Sequence, residues 1–424
     1  MPAFRPTRSP ETVSLADALR RGLAPDGGLY VPVEVPDLPE DWRACASYAD
    51  LAARVLRPWL DEVPEAETAV RDALNFPVPL VPLGGAWTGV YVLELFHGPT
   101  LSFKDFGART LARLMARVTP AGALTTVLVA TSGDTGSAVA DGFAGLPGVR
   151  VVLLFPAGRV SPVQERQLVA DRPGVTAVRV AGTFDDCQRL VKAAFADRRF
   201  EGLGLTSANS INIGRLLPQM TYYVEAMRAG RFDEAVFIVP SGNLGNLTAG
   251  VMAHLSGLPV RRFVAAHNAN DAFVDHLSGA PMTPRPTVQT RSNAMDVGAP
   301  SNFERLAYLL DETDRRRLIA GTWVSDDETL AAMQVVYAGT GYVACPHTAV
   351  GLEAARRFRT VHGADVPIIV LATAHPAKFP ETLEAALGVR PPEPEALARL
   401  APGPVHDVPP TLDALLTVVT GEAG

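Results

Sequence analysis

The chain has 424 residues, a formal net charge of −7, 47% hydrophobic residues and 20% charged residues. This length predicts two or three packed domains, and an acidic chain without a Lys/Arg run argues against nucleic acid or an anionic membrane as partner. The chain shows no secretory signal, no apolar run of membrane-spanning length, and three scattered cysteines without disulfide or zinc spacing. We therefore expect a cytoplasmic protein with reduced thiols and no metal site.

The N-terminal segment, residues 14–85, has a mostly helical pattern interrupted by proline-rich joints. Ser14 and Ser47 are candidate N-caps, because a serine hydroxyl before an apolar periodic run can accept a hydrogen bond from the first helical turn. An Asp-Gly-Gly turn and a short extended piece lie between them, in residues 23–35. We predict a small N-terminal domain over residues 1–90.

Beyond residue 93, short apolar runs alternate with helical patterns of ten to fifteen residues. The predicted strands are 125–131, 149–158, 175–182, 234–242, 260–268 and 366–374. The predicted helices are 137–145, 161–171, 184–200, 212–230, 247–257, 326–339 and 348–358. This alternation is typical of a parallel, doubly wound α/β architecture, in which ligands bind beyond the carboxyl ends of strands.

Lys104, in the segment FHGPTLSFKDF, is unusual because only three of the 38 basic residues are lysines. It lies between Phe103 and Phe106, and an amine that an apolar pocket keeps partly neutral can attack a carbonyl, which a guanidinium cannot. The alternative is an ordinary ammonium on a helix surface. Asp105 and Arg109, four residues apart, are interpreted as an intrahelical ion pair.

The segment SGNLGN follows a predicted strand and precedes a predicted helix. Gly242 and Gly245 allow several backbone N–H groups to converge, and a helix N-terminus adds positive potential, so the loop suits a phosphate ester. Neither the dinucleotide fingerprint nor a Walker lysine is present. The alternative is a tight turn with two glycines.

Two further loops follow predicted strands. The segment TSGDTG offers Thr131, Ser132 and Thr135 to another anion such as a carboxylate, although Ser132 or Asp134 as a simple N-cap is favoured when the loop is taken alone. The segment ANSINIGR offers two more donors, Asn209 and Ser210, together with an arginine suited to phosphate, Arg215. In its alternative, an asparagine caps a helix and the arginine is a solvated surface cation. A reactive amine, a phosphate loop and these donors together fit pyridoxal 5′-phosphate.

Seven collinear motifs resemble threonine synthase, a family of pyridoxal phosphate enzymes with the tryptophan-synthase-like (type II) fold. They are HGPTLSFKDFGAR, ATSGDTG, SANSIN followed by Arg215, PSGNLGNLTAG, AMDVGAPSNFERL, PHTAVG and ATAHPAKF. The resemblance implies two doubly wound parallel-sheet domains, a smaller one over residues 91–220 and a larger one over 221–424, with the cofactor cleft between them. It also implies conversion of O-phospho-L-homoserine and water into L-threonine and phosphate, by γ-elimination and β-addition of water.

The resemblance also implies roles for individual residues. Lys104 matches the Schiff-base lysine, and Thr373 matches the hydroxyl residue at the pyridine nitrogen. The residues that match the cofactor-phosphate loop are Gly242, Asn243, Leu244, Gly245 and Asn246. The residues that match substrate contacts are Thr131, Ser132 and Thr135 for the carboxylate, and Asn209, Ser210 and Arg215 for the phosphate. Leu244 stands where phenylalanine is common, the opening PTRSPETVSL lacks a usual Ser-Thr-Arg-Gly, and the role of Asp134 is open.

Two other functions remain possible from the sequence. A hydroxyamino-acid deaminase or β-replacement enzyme of the same fold would keep the lysine and the glycine loop but would need no second phosphate site. A catalytically silent relative would have no need to retain Lys104, SGNLGN and Thr373 together. A monomer and a homodimer are both compatible with the sequence.

Overall fold

The computed structural model describes residues 3–120, 122–363 and 365–421. The strands in these ranges are β1 (Phe4–Pro6), β2 (Tyr30–Pro32), β3 (Leu80–Pro82), β4 (Val90–Glu94), β5 (Thr125–Ala130), β6 (Val149–Pro156), β7 (Val175–Val180), β8 (Leu205–Thr206), β9 (Ala235–Pro240), β10 (Val260–His267), β11 (Ile319–Trp323), β12 (Ile368–Ala372) and β13 (Val405–Val408). The helices are α1 (Leu15–Arg21), α2 (Tyr48–Leu56), α3 (Ala66–Ala73), α4 (Lys104–Val118), α5 (Asp134–Phe143), α6 (Pro162–Leu168), α7 (Phe184–Ala196), α8 (Leu217–Gly230), α9 (Gly245–Leu255), α10 (Ala272–Leu277), α11 (Phe303–Leu309), α12 (Glu312–Leu318), α13 (Asp326–Thr340), α14 (Pro346–His362), α15 (Pro380–Leu387), α16 (Glu395–Ala398) and α17 (Leu412–Thr420).

Two parallel sheets form the body of the molecule. The larger sheet has the strand order β11-β10-β9-β12-β4-β3 and is parallel except for the antiparallel pair of β3 with β4. The smaller sheet has the order β13-β7-β6-β5-β8 and is parallel throughout. The predicted α/β class with two doubly wound parallel sheets is confirmed.

The continuous apolar runs arise because the central strands are buried on both faces. In β9, Val236 and Ile238 face one core, whereas Phe237 and Val239 face another. Successive side chains of a strand point to opposite faces, so a strand covered by helices on both sides needs apolar residues at every position. This is why the six predicted strands could be recognised without any polar alternation.

The N-terminal segment forms helices α1 to α3 and the antiparallel pair of β1 with β2. The predicted caps are confirmed: the hydroxyls of Ser14 and Ser47 accept hydrogen bonds from the N–H groups of Asp17 and Asp50, each at 3.1 Å. No helix in the described part of the chain has the length and apolar character needed to cross a membrane.

Three strands pair outside the sheet of their predicted domain. Strand β3, before residue 90, and strand β4, in the predicted smaller domain, belong to the larger sheet, and β13, in the C-terminal tail, adds to the smaller sheet beside β7. The pairings of β4 with β12 and of β13 with β7 join segments far apart in sequence, and such pairings leave no signal in composition or periodicity. The domain boundaries at residues 90 and 220 therefore stay a prediction.

Candidate active site

The loops that follow β5, β8, β9 and β12 converge on one cleft between the two sheets. The cleft encloses about 1020 Å³, counting the space that opens to solvent. All thirteen residues proposed from the sequence line it: Lys104, Thr131, Ser132, Thr135, Asn209, Ser210, Arg215, Gly242, Asn243, Leu244, Gly245, Asn246 and Thr373. The structure thus brings these residues together, while the role of each stays a prediction.

Lys104 begins helix α4 at a turn that is clamped to the segment after β12. The Phe103 N–H donates to the carbonyl oxygen of Thr373 at 2.9 Å, and the His375 N–H donates to that of Leu101 at 3.0 Å. Leu101 has a φ of +61°, a left-handed conformation that is uncommon for a residue with a side chain. The clamp places Lys104 close to Thr373, as the cofactor hypothesis requires.

The surroundings of Lys104 lower the pKa of its amine. Burial is the main cause and brings the pKa to about 8, although Asp134 opposes the shift and Lys378 and Arg215 reinforce it. The amine also lies 5.7 Å from the centre of the Phe103 ring. An amine with this pKa has an appreciable neutral fraction near neutral pH, so it can act as a nucleophile or a base.

The glycine-rich loop is tightly packed and leads directly into helix α9, which begins at Gly245. A Cβ at position 242 would lie 2.9 Å from the Cα of Met295, so a side chain would displace backbone there. Leu244 precedes the helix with a φ of +60°. Strained backbone of this kind concentrates at functional sites, where surrounding contacts impose it.

The two asparagines of this loop behave differently. The amide of Asn243 is engaged: it donates to the Ser210 hydroxyl at 2.6 Å, and its oxygen accepts from the Ser301 N–H at 2.5 Å. The oxygen of Asn246 accepts hydrogen bonds from Tyr222 and Tyr223, but its buried Nδ2 has no partner among the described residues. A buried donor without a partner is costly, which favours a ligand acceptor at this place.

The TSGDTG loop is organised by Thr131. Its hydroxyl oxygen accepts hydrogen bonds from the N–H groups of Gly133 and Gly136, at 3.0 and 2.8 Å. The N-cap residue of α5 is Gly133, with a φ of 135°, which has no side chain, so the first turn is capped instead by the hydroxyl of Thr131 through the Gly136 N–H. The alternative in which Ser132 or Asp134 is the N-cap is therefore wrong.

Arg215 is buried, with 3% of its surface exposed. Its Nη1 donates to the carbonyl oxygen of Ala208, whereas its Nε has no partner in the described ranges. Burial lowers the pKa of the guanidinium to about 10, so it remains charged at neutral pH. The alternative of a solvated surface cation is wrong. Nearby, the buried Oδ1 of Asn209 also has no hydrogen-bond partner in the described part of the chain.

Sequence reasoning missed a buried ion pair beside the cleft. The Nζ of Lys378, which is fully buried, lies 2.7 Å from Oδ1 of Asp134, which is 3% exposed. The cations Lys378 and Lys104 hold the pKa of Asp134 well below its usual range despite burial. Lys378 is one of the three lysines, so the scarcity that drew attention to Lys104 was also a signal for Lys378.

His347 also lines the cleft and was left unassigned by the sequence. Its Nε2 accepts a hydrogen bond from the Ala294 N–H at 3.1 Å. Burial lowers the pKa of the imidazole to about 4, so the ring is neutral near pH 7 and carries its proton on Nδ1.

The predicted intrahelical pair of Asp105 with Arg109 is wrong. The buried carboxylate of Asp105 accepts hydrogen bonds from the N–H and hydroxyl of Thr100, at 2.9 and 2.5 Å. The guanidinium of Arg109 donates to the carbonyl oxygen of Ala73 and pairs with Asp141 instead. The turn before α4 thus folds back onto the helix start and binds Asp105, whereas Arg109 is held by tertiary contacts.

Comparison with known proteins identifies the family. The model of the pyridoxal-phosphate dependent enzymes matches residues 73–373, and those of the threonine synthase N terminus and C-terminal domain match residues 3–71 and 348–419. The threonine synthase of Serratia marcescens is 42% identical, with 97% of each chain covered. The chain belongs to the threonine synthase family.

Two solved structures of the threonine synthase family superpose on nearly the whole chain. The crystal structure of threonine synthase from Escherichia coli gives a TM-score of 0.91 at 38% identity, with 99% of each chain covered. The structure of PLP-bound threonine synthase from Brucella melitensis gives a TM-score of 0.91 at 36% identity, again with 99% of each chain covered. Pyridoxal 5′-phosphate is thus the cofactor of this threonine synthase family member.

The residues of the cleft fit that cofactor. The loop Gly242–Asn246 offers a helix N-terminus, a position where a Cβ would fill the available space, and the unpartnered amide of Asn246. An amine with a lowered pKa, Lys104, lines the same cleft as this loop. Thr373 lines the same cleft with a neutral hydroxyl, and its position at the pyridine nitrogen stays a prediction.

Proposed function

We propose that the enzyme is a cytoplasmic, phosphate-releasing lyase that converts O-phospho-L-homoserine and water into L-threonine and phosphate. The observation that carries this proposal is the buried, charged and incompletely bonded guanidinium of Arg215 in a cleft that already contains a glycine-rich phosphate loop. A buried cation with a free donor favours an anionic ligand, and a doubly charged phosphate ester satisfies it best. The three free cysteines support a reducing compartment.

The second anion site discriminates between the candidate reactions. A deaminase or β-replacement enzyme needs the cofactor loop, Lys104 and a carboxylate site, but its substrate carries no phosphate. Arg215 lies after β8 and the glycine loop lies after β9, so the two sites are built by different loops. We assign the glycine loop to the cofactor phosphate and Arg215, with Asn209 and Ser210, to the substrate phosphate.

The residues of the chain have distinct tasks in this reaction. Bound pyridoxal phosphate supplies an aldehyde for covalent linkage and a sink for the electrons released at Cα. Lys104 removes the proton from Cα and later returns one, as its lowered pKa permits. The TSGDTG loop, at the start of α5, holds the substrate carboxylate close to the positive end of the helix dipole.

Arg215 binds the phosphate before and after the carbon–oxygen bond breaks. The phosphate leaves Cγ with the bonding electron pair, Cβ loses one proton, the hydroxyl of water adds at Cβ, and Cγ gains a proton to become the methyl group. Arg215 stabilises the charge that develops on the leaving oxygen, which raises the rate more than ground-state binding alone.

The test compares three substrates with the purified holoenzyme. We expect phosphohomoserine to yield threonine and inorganic phosphate in equal amounts, and threonine and serine to yield little 2-oxobutanoate or pyruvate. The Lys104→Ala variant should lose both turnover and the visible absorbance of the linked cofactor. Rapid 2-oxo acid formation without phosphate release would instead identify a deaminase, and no turnover of any substrate would identify a silent relative.

A further inference from the structure

The buried pair of Lys378 and Asp134 joins the two sides of the active-site cleft. Asp134 is the first residue of α5, behind the smaller sheet, whereas Lys378 follows β12 of the larger sheet. Their polar atoms are 2.7 Å apart, and Nζ of Lys378 also donates to the carbonyl oxygen of Thr100 at 3.0 Å. Thr100 lies in the turn that leads to Lys104, so one ammonium contacts the segments on both sides of the cleft.

The pair is part of a closed ring of hydrogen bonds. The amide of Gln164 donates to Asp134 Oδ1 at 3.0 Å and accepts from the Ser161 N–H at 3.1 Å. The Ser161 hydroxyl donates to the carbonyl oxygen of Lys378 at 3.2 Å, which closes the ring. Asn293, next to Ala294 of the cleft lining, donates to the same Gln164 side chain at 3.0 Å.

We propose that Lys378 is a positioning residue for the reaction, which neutralises Asp134 and locks the TSGDTG loop against the turn that carries Lys104. The proposal rests on the proposed function only in taking Lys104 as the residue that links the cofactor. Because Asp134 and Lys104 line the same cleft, the Asp134 carboxylate without Lys378 would stabilise the protonated form of the Lys104 amine. Lys378 prevents this and leaves Lys104 free to exchange protons with the substrate.

Other charged and titratable groups surround the pair of Lys378 and Asp134. Lys104 and His347 act on Asp134, and Arg215 acts on Lys104. The positive charge of Lys378 also acts on Asp105, where it favours the ionised carboxylate. His347 is neutral at pH 7 and Asp105 is hydrogen-bonded to Thr100, so the charges that the experiment removes or follows are those of Lys104, Asp134 and Lys378.

The experiment uses the holoenzyme, four variants and no substrate. The variants are Lys378→Met, Asp134→Asn, the double variant and the control Lys192→Met, which removes an exposed lysine of α7. The visible absorbance of the bound cofactor is followed against pH. We expect Lys378→Met to raise the pKa of the Lys104 linkage by about one pH unit or more, and Asp134→Asn to lower it. The double variant should return close to the wild-type profile.

A purely structural role makes a different prediction. It would lower the melting temperature of both single variants without moving the pH profile, or would move both profiles in the same direction, and either result would overturn the proposal. Lys378→Arg keeps the charge and should keep the wild-type profile if it folds. Because no substrate is present, these outcomes do not depend on whether phosphohomoserine is the substrate.

A second measurement covers the case in which a variant binds the cofactor poorly. The chain has only three lysines, so lysine labelled with ¹³C at Cε gives three assignable signals in the cofactor-free full-length protein. The Lys104 signal should titrate at higher pH in Lys378→Met and at lower pH in Asp134→Asn. Unchanged titration in both variants would refute the proposed coupling.

Discussion

Replacement of Arg215 by methionine tests the assignment of the second phosphate site. Methionine keeps much of the side-chain volume in the buried position but removes the charge and every donor. In the structure Nη1 is bonded to Ala208 and Nε has no partner among the described residues, so the guanidinium retains donor capacity for a two-pronged contact with phosphate. Two hydrogen bonds to a charged group at about 1.5–3 kcal/mol each amount to about 3–6 kcal/mol.

This energy sets the expected size of the effect. Water can replace part of the lost contact, so we expect the low end, a fall in kcat/KM for phosphohomoserine of about 10²-fold. Cofactor affinity, measured by titration of the visible absorbance, should change little. Inorganic phosphate should inhibit the wild type competitively, and this inhibition should weaken strongly in the variant.

Arg315 provides a matched control. It is also a buried arginine, 5% exposed, and donates to the carbonyl oxygen of Leu310, but it lies on α12 away from the cleft lining. Arg315→Met should affect stability without a comparable loss of kcat/KM. The reasoning fails if Arg215→Met retains kcat/KM within about threefold, or if its cofactor affinity falls in parallel, which would assign Arg215 to the cofactor phosphate instead.

Three further predictions follow from the local geometry. Gly242→Ala should weaken cofactor binding at least about tenfold in an absorbance titration, because the new Cβ meets the backbone of Met295, while Gly84→Ala, with open space around it, should not. Burial raises the pKa of Asp105 from 3.8 to about 6, so the stability this group contributes is present below pH 3.8 and is lost as the pH rises through 6. In urea unfolding, the free energy of unfolding of Asp105→Asn, measured relative to that of wild type, should therefore rise by on the order of 3 kcal/mol between pH 4 and pH 7. A difference between the two proteins that does not change with pH would contradict this. In the cofactor-free protein, the Lys104 signal should titrate near pH 8, and titration above pH 10 would show that burial does not shift it.

The parts of the fold that were predictable are those with a strong local pattern. The strands β5, β6, β7, β9, β10 and β12 each consist mainly of apolar residues, and the caps at Ser14 and Ser47 follow from side-chain chemistry one turn away. The strand-to-helix loops could be placed for the same reason. Because parallel sheets bind ligands at the carboxyl ends of their strands, the loops also indicated where the site lies.

The parts that were not predictable depend on contacts that no local pattern records. Strands β3 and β13 are short, and only the neighbours they pair with define them. The ion pair of Lys378 with Asp134 joins residues 244 positions apart, and neither segment signals the other. Asp105 had a suitable partner four residues away, yet its hydrogen bonds go to Thr100, in the turn before the helix, and Arg109 pairs with the distant Asp141.

The position of β13 has a consequence for solubility. This four-residue strand is the outermost of its sheet and satisfies the backbone of β7, whose sequence VTAVRV is rich in β-branched residues. A protease cut or premature stop ahead of Val405 would uncover that edge and leave a template for pairing between molecules. Shortened chains should accordingly form aggregates even if the catalytic cleft, built from residues earlier in the sequence, could still assemble.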